Sequence, residues 1–187
     1  MEKDAAGAGV APVGGLFSTA EIKILICHIL TELQAPIPSE SLVNMLHYEG
    51  IANGFEVSDA FHALESSGLI STVTDDDEDC FIITQQGKSI NETLNDSLPN
   101  TVKRRALNAA RKMVARRVNA KNSDIQLTHE DDSTYITCTA LDGSRPLLSV
   151  KMLITDDAMG ARIKNRFLEA SPEICSAVID LLTKDND

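Results

Sequence analysis

Apolar side chains recur at three- and four-residue spacing through the first third of the chain, which is the period of an amphipathic α-helix. The first such stretch begins at Ser18, and the acid three positions later, Glu21, completes the sequence pattern of a capping box. Because the residue before a proline avoids helical backbone angles, this helix is expected to end before Pro36.

Two further helices follow at short intervals. One is predicted to start with Ser39 as N-cap and to stop at Gly50, and the next to start with Asn53 as N-cap and to stop at Gly68. The pattern therefore predicts three consecutive helices joined by short turns.

The period then changes from helical to alternating. Two short β-branched and apolar runs, residues 69–73 and 80–84, flank five consecutive acids at 75–79, which predicts a β-hairpin with a solvated tip. Thr84 and Gly87 close the hairpin and open another helix. Three helices followed by a two-stranded hairpin is the order of a winged helix-turn-helix, in which the third helix usually enters the DNA major groove.

The second half of the chain has a different order. Alanine, leucine, methionine and arginine favour a long helix from about 99 to 121. Three antiparallel strands and two helices are predicted to follow, the strands near 124–129, 133–141 and 146–155 with a turn at Asp142-Gly143, the helices from 157 to 169 and from Ser171 onward. The fold class predicted for the whole chain is α+β.

Charge is distributed in blocks that change near Pro99. Residues 18–98 carry a net charge of −12, residues 99–123 carry eight bases and no acid, and residues 124–187 carry −6. Such a boundary predicts a flexible tail at 1–15, a winged-helix domain at 16–98 and a C-terminal domain at 99–187.

Several stretches also resemble a known family. They are FSTAEIKILICHIL, then GLI and ITQQGK on either side of the hairpin, and the closing NRFLEASPEICSAVIDLL. Over residues 16–184 the chain resembles a small uncharacterised winged-helix family of Gram-positive bacteria, a domain of unknown function. The resemblance implies the winged-helix fold and supplies no catalytic motif.

Enzymatic chemistry is not predicted. The glycine-rich stretch at 7–15 follows no strand and completes neither phosphate-binding motif, the four histidines have no metal-ligand spacing, and residues 75–79 lack the spaced ligands of a calcium loop. The four cysteines stand singly in apolar segments, as reduced core residues do. We therefore expect no catalytic residues, no metal and no cofactor. With neither a signal sequence nor an apolar run long enough for a bilayer, a cytoplasmic protein without membrane contact is expected.

A DNA-binding protein resembling a transcriptional regulator is the predicted function. The candidate DNA-contacting residues form two groups: a basic set on the long helix, Lys103, Arg104, Arg105, Arg111, Lys112 and Arg116, and a polar set on the presumed recognition helix, Asn53, Ser58, His62 and Ser66. The expected ligand is double-stranded DNA. A homodimer is also expected, formed through the apolar faces of residues 100–121 and 157–184.

One alternative stays open. The presumed recognition helix has no lysine or arginine, and DNA affinity depends on neutralising phosphates. The acidic winged-helix face could instead bind a protein partner and no DNA.

Overall fold

The computed structural model describes residues 18–184. Over this range the chain is α+β, with six α-helices and two three-stranded antiparallel sheets. Contacts divide the chain into two compact units that meet between Arg111 and Lys112. The predicted tail at 1–15, with its glycine-rich stretch, lies outside the described residues.

The first unit contains three helices, a hairpin and a fourth helix. A two-residue strand lies between the first and second helices, pairs with the second hairpin strand and completes the sheet in the order β1-β3-β2. In chain order the elements are α1 Thr19–Leu33, β1 Ile37–Pro38, α2 Ser39–Tyr48, α3 Gly54–Ser66, β2 Ile70–Asp75, β3 Glu78–Ile83 and α4 Gln85–Leu94.

Two of the three N-caps predicted for the first three helices are confirmed. The Ser18 Oγ accepts a hydrogen bond from the Glu21 amide at 3.2 Å, and the Glu21 carboxylate accepts one from the Ser18 amide at 3.1 Å. The Asn53 side chain accepts from the Phe55 amide at 3.0 Å. The third prediction was wrong: Pro38 is the N-cap of α2, without a side-chain cap. Because β1 leads directly into α2, Ser39 is already helical.

The turn of the β2–β3 hairpin contains fewer residues than the five consecutive acids led us to expect. Asp75 pairs with Glu78, so only Asp76 and Asp77 remain in the turn. Both have positive φ, 53° and 61°, as a two-residue type I′ turn requires. The turn matches the strand twist, and strand pairing therefore continues into the acids.

The core of the first unit lies between α1, α3 and the sheet. Leu25, Ile26 and Ile29 of α1 have no exposed surface. Phe61 of α3 stacks on Phe81 of β3 with ring centroids 4.6 Å apart. These contacts fix α3 against the sheet and leave its other side at the surface.

The second unit follows the predicted order. Its strands are β4 Ser123–Glu130, β5 Ser133–Asp142 and β6 Arg145–Ile154, and α6 Asp157–Thr183 packs on one face of the sheet. Non-helical backbone at Ala170 divides α6 in two, as the predicted break before Ser171 requires. Ile136, Cys138 and Ala140 alternate on the buried face.

The long helix α5, Asn100–Lys121, contains the boundary between the units. Over residues 18–184, no helix is long and apolar enough to cross a membrane.

Candidate interaction surface on helices α2 and α3

An open groove of about 460 Å³ lies where the end of α2 meets the start of α3. We call it the α2–α3 groove. It is lined by Val43, Asn44 and His47 from α2 and by Gly54, Phe55 and Ser58 from α3.

The connection between the two helices sets the shape of the groove. Gly50 turns the chain with a φ of 61°, and Ile51 and Ala52 are buried beneath the turn. At Gly54 a Cβ would lie 4.0 Å from the His47 ring. The two helix ends are therefore held close together, and the groove opens outward between their side chains.

Two aromatic rings stand at this surface almost fully in solvent. Tyr48 is 85% exposed and Phe55 is 83% exposed. The Tyr48 ring lies beside the His47 ring, with centroids 5.7 Å apart. Large exposed apolar groups beside a groove are typical of protein interaction sites.

Sequence reasoning missed both aromatic residues, although a signal was present. At 100° per residue, Phe55 lies about 180° to 240° from the buried positions Val57, Phe61 and Leu64. Tyr48 is similarly placed relative to Leu42 and Leu46. An aromatic residue on the side of a helix opposite its buried stripe indicates an exposed apolar surface, and this signal was present in the sequence.

The formal charges on α2, α3 and the β2–β3 hairpin are all negative, and the base described beside them is Arg105, at the Gly50 carbonyl. No lysine or arginine occurs between Lys23 and Lys88. Glu56, Asp59 and Glu65 are exposed on α3. Acidic side chains on α3 favour a cationic ligand over a phosphate at that helix.

The polar residues predicted to read DNA lie on α3 or its cap. The Asn53 side-chain Oδ1 accepts the hydrogen bond from the Phe55 amide that caps the helix, and Ser58 is half-buried in the groove. His62 and Ser66 are exposed. Because Ser58, His62 and Ser66 are spaced by four residues, they share one side of α3.

Three of the six predicted basic residues are engaged within the protein. Lys103 is buried, and its Nζ donates to the Asn95 carbonyl at 2.9 Å. Arg105 is half-buried and donates to the Gly50 carbonyl at 3.4 Å. Arg116 forms an ion pair with Glu169.

The other three basic residues, Arg104, Arg111 and Lys112, are exposed. Contacts within the protein thus occupy half of the predicted basic set, although the Arg116 side chain remains 45% exposed.

The cysteines and histidines of the described residues form no further site. All four cysteines are buried, and burial raises the pKa of the Cys27 thiol to about 11. Within residues 18–184 no group of three or more histidine, cysteine or acidic side chains is arranged to hold a metal ion.

Comparison with protein-family models matches residues 22–182 to a family described as a domain of unknown function, DUF4364. No curated protein and no solved structure matched the chain.

Proposed function

The chain belongs to the DUF4364 family, and we propose that it is a winged-helix protein whose α2–α3 groove binds a basic segment of another protein. The observation that carries the proposal is the combination of two exposed aromatic rings, Tyr48 and Phe55, with the exposed acids of α3 beside one groove.

The order of elements supports the winged-helix assignment. Three helices precede a two-stranded hairpin, α2 and α3 are joined by a short turn, and β1 adds a third strand to the hairpin. In this arrangement α3 occupies the place of a recognition helix and β2–β3 the place of the wing.

Charge favours a protein ligand over DNA at this face. A DNA-binding protein gains most of its affinity by bringing lysine and arginine to phosphates. Helix α3 presents Glu56, Asp59 and Glu65 instead, and the hairpin tip presents further acids. Acidic side chains at this face would repel an approaching duplex, most strongly at low salt.

The chemistry of the groove defines its partner. The carboxylates of Glu56 and Asp59 would pair with arginine or lysine, and the faces of Phe55 and Tyr48 would accept either a guanidinium or an aliphatic side chain. A basic segment with apolar residues between its charges fits both features.

Titrating the full chain with a labelled peptide of alternating arginine and leucine tests the proposal by fluorescence anisotropy. Phe55→Ala is expected to weaken binding about tenfold, as loss of an aromatic anchor does. Glu56→Gln with Asp59→Asn is expected to weaken binding and to reduce its salt dependence.

The matched controls lie in the second unit. Leu147→Ala removes a side chain that is 62% exposed, and Asp142→Asn removes an exposed acid. Both variants should bind the peptide as the parent does. Binding that Phe55→Ala leaves unchanged, or that the controls weaken equally, would contradict the proposal.

DNA binding is the second candidate, favoured by the exposed Arg104, Arg111 and Lys112 on one helix. It predicts duplex binding at low salt that weakens when all three are changed to glutamine. Each lost phosphate contact should reduce the slope of log affinity against log salt by about 0.9. Arg105 is not substituted because its side chain donates a hydrogen bond to the Gly50 carbonyl.

A further inference from the structure

Helical spacing sets the two walls of the α2–α3 groove. Val43 and His47 are four residues apart on α2, and Gly54 and Ser58 are four residues apart on α3, so each pair lies on one side of its helix. Val43, Gly54 and Ser58 are half-buried, whereas His47 is exposed. Two small residues of α3 and one valine of α2 therefore form the less accessible part of the groove.

Gly54 leaves the α3 wall open. A Cβ at this position would lie 4.0 Å from Cγ and Nδ1 of His47, and within 4 Å of no other atom of residues 18–184 apart from its chain neighbours and its own helix backbone. The φ of Gly54 is not positive, and in ordinary helical backbone glycine is less favourable than residues with a side chain. Neither space nor backbone angle requires glycine here, so the missing side chain is room that a ligand can occupy.

The groove accepts an uncharged side chain better than a charged one. Among residues 18–184, the seven that line it include no acid, lysine or arginine. Phe55 lines the groove at the position after Gly54, and its side chain is 83% exposed. Asp59, one turn after Phe55 on α3, is exposed and does not line the groove. A basic side chain therefore finds a carboxylate beside the groove and not within it.

We propose that Gly54 determines which side chain the groove accepts. An aliphatic side chain of about leucine size, from the basic segment, inserts over Gly54 against the His47 and Phe55 rings, and a neighbouring base of that segment pairs with Asp59. The inference rests on the proposed function, because it names the apolar anchor of the same partner. A lysine or arginine inserted here would lose hydration without gaining a carboxylate, and an alanine would leave the opening unfilled.

Two peptides of equal charge test the inference by fluorescence anisotropy with the full chain. One alternates arginine with leucine and the other alternates arginine with alanine. The parent is expected to bind the leucine peptide about tenfold more tightly. Gly54→Val fills the opening, and should raise the dissociation constant of the leucine peptide about tenfold while changing that of the alanine peptide by less than about twofold.

Two further variants separate binding from folding. Gly54→Ala adds a single methyl group at van der Waals distance from His47, and should give a smaller change of the same kind. Ala161→Val adds apolar bulk at an exposed position of α6 and should bind both peptides as the parent does. The thermal midpoint of Gly54→Val should not fall below that of the parent, because valine forms helix more readily than glycine.

The outcomes distinguish this inference from the proposed function. A parent that binds both peptides equally would overturn the inference alone, as would a Gly54→Val variant that leaves both affinities unchanged or weakens both to the same extent. A parent that binds neither peptide would overturn the proposed function and the inference together.

Discussion

Gly87 lies where α4, β3 and the chain before β2 approach one another most closely. A Cβ at this position would overlap the Leu69 carbonyl oxygen and lie 2.5 Å from the Ile83 Cδ1. The neighbouring cap draws the backbone inward: the Thr84 Oγ1 accepts from the Gly87 amide at 3.1 Å and donates to the Leu69 carbonyl at 3.0 Å. Glycine is therefore required here by space and not by its backbone angle.

Gly87→Ala is expected to lower the free energy of unfolding by about 1 to 3 kcal/mol, because a buried methyl group must displace backbone. Chemical denaturation measures the change. Gly54→Ala is the control, since a Cβ there would meet the His47 ring only at van der Waals distance. Equal stability of Gly87→Ala and the parent would contradict the close approach of α4 to the Leu69 carbonyl.

His28 couples the stability of the first unit to pH. It is 7% exposed, and its Nδ1 has no hydrogen-bond partner within residues 18–184. Burial lowers the pKa of His28 below its ordinary value of 6.5; Glu32 opposes the shift and Lys103 adds to it. The unfolded chain therefore binds a proton at a pH where the folded chain does not.

The sign of the pH dependence follows from this difference. As pH falls through 6.5, the unfolded state is protonated first and stability is lost. His28→Gln is expected to flatten the fall in thermal midpoint between neutral and mildly acidic pH. His62→Gln, at an exposed histidine, should keep the slope of the parent. If the thermal midpoint of His28→Gln falls with pH as steeply as that of the parent, His28 does not cause the pH dependence.

At the scale of elements, local signals predicted most of the fold. The helices α1 and α3 and the three strands of the second unit were found because apolar period, caps and turn residues all act within a few positions. Strand β1 was missed because two residues, Ile37 and Pro38, are too few to show an alternating pattern. The strand forms only by pairing with β3, which is distant in the sequence.

The candidate surface was predicted less well than the fold. Its acidity was visible in the sequence, whereas the groove depends on how closely the ends of α2 and α3 approach. The burial of Lys103 and the hydrogen bond of Arg105 are tertiary contacts, so the sequence alone counted both among the residues available to DNA.

The tip of the β2–β3 hairpin yields a prediction at this scale. Asp77 has a φ of 61°, which a side chain with a Cβ disfavours and glycine accepts. Asp77→Gly is expected to stabilise the protein by a few tenths to about 1 kcal/mol. Gly143→Ala, at a φ of 59° in open space, should have the opposite sign. Destabilisation by Asp77→Gly in chemical denaturation would contradict the type I′ turn.

At the scale of the whole chain, charge and contacts place the boundary at different residues. The charge blocks change near Pro99, whereas contacts assign residues up to Arg111 to the first unit. Ala106 has no exposed surface, and Arg105 reaches the Gly50 carbonyl. The first half of α5 therefore packs with the first unit, although its charge differs.

Two fragments test this assignment. Residues 16–98 are predicted to fold alone, and residues 16–111 are predicted to unfold at a higher temperature because they add the start of α5. Ala106→Asp in the longer fragment should remove the gain. If residues 16–111 unfold at or below the thermal midpoint of residues 16–98, the start of α5 does not stabilise the first unit, and the boundary between the units lies near Pro99.

The central claim, that the acidic face of the first unit binds a basic protein segment and not DNA, is tested most directly by one comparison at low salt. Anisotropy titrations of the full chain with the arginine–leucine peptide and with a DNA duplex, repeated over increasing salt, give both affinities. We predict peptide binding that weakens with salt and with Phe55→Ala, and no duplex binding. Duplex binding that is lost when Arg104, Arg111 and Lys112 are neutralised, with no peptide binding, would contradict the claim.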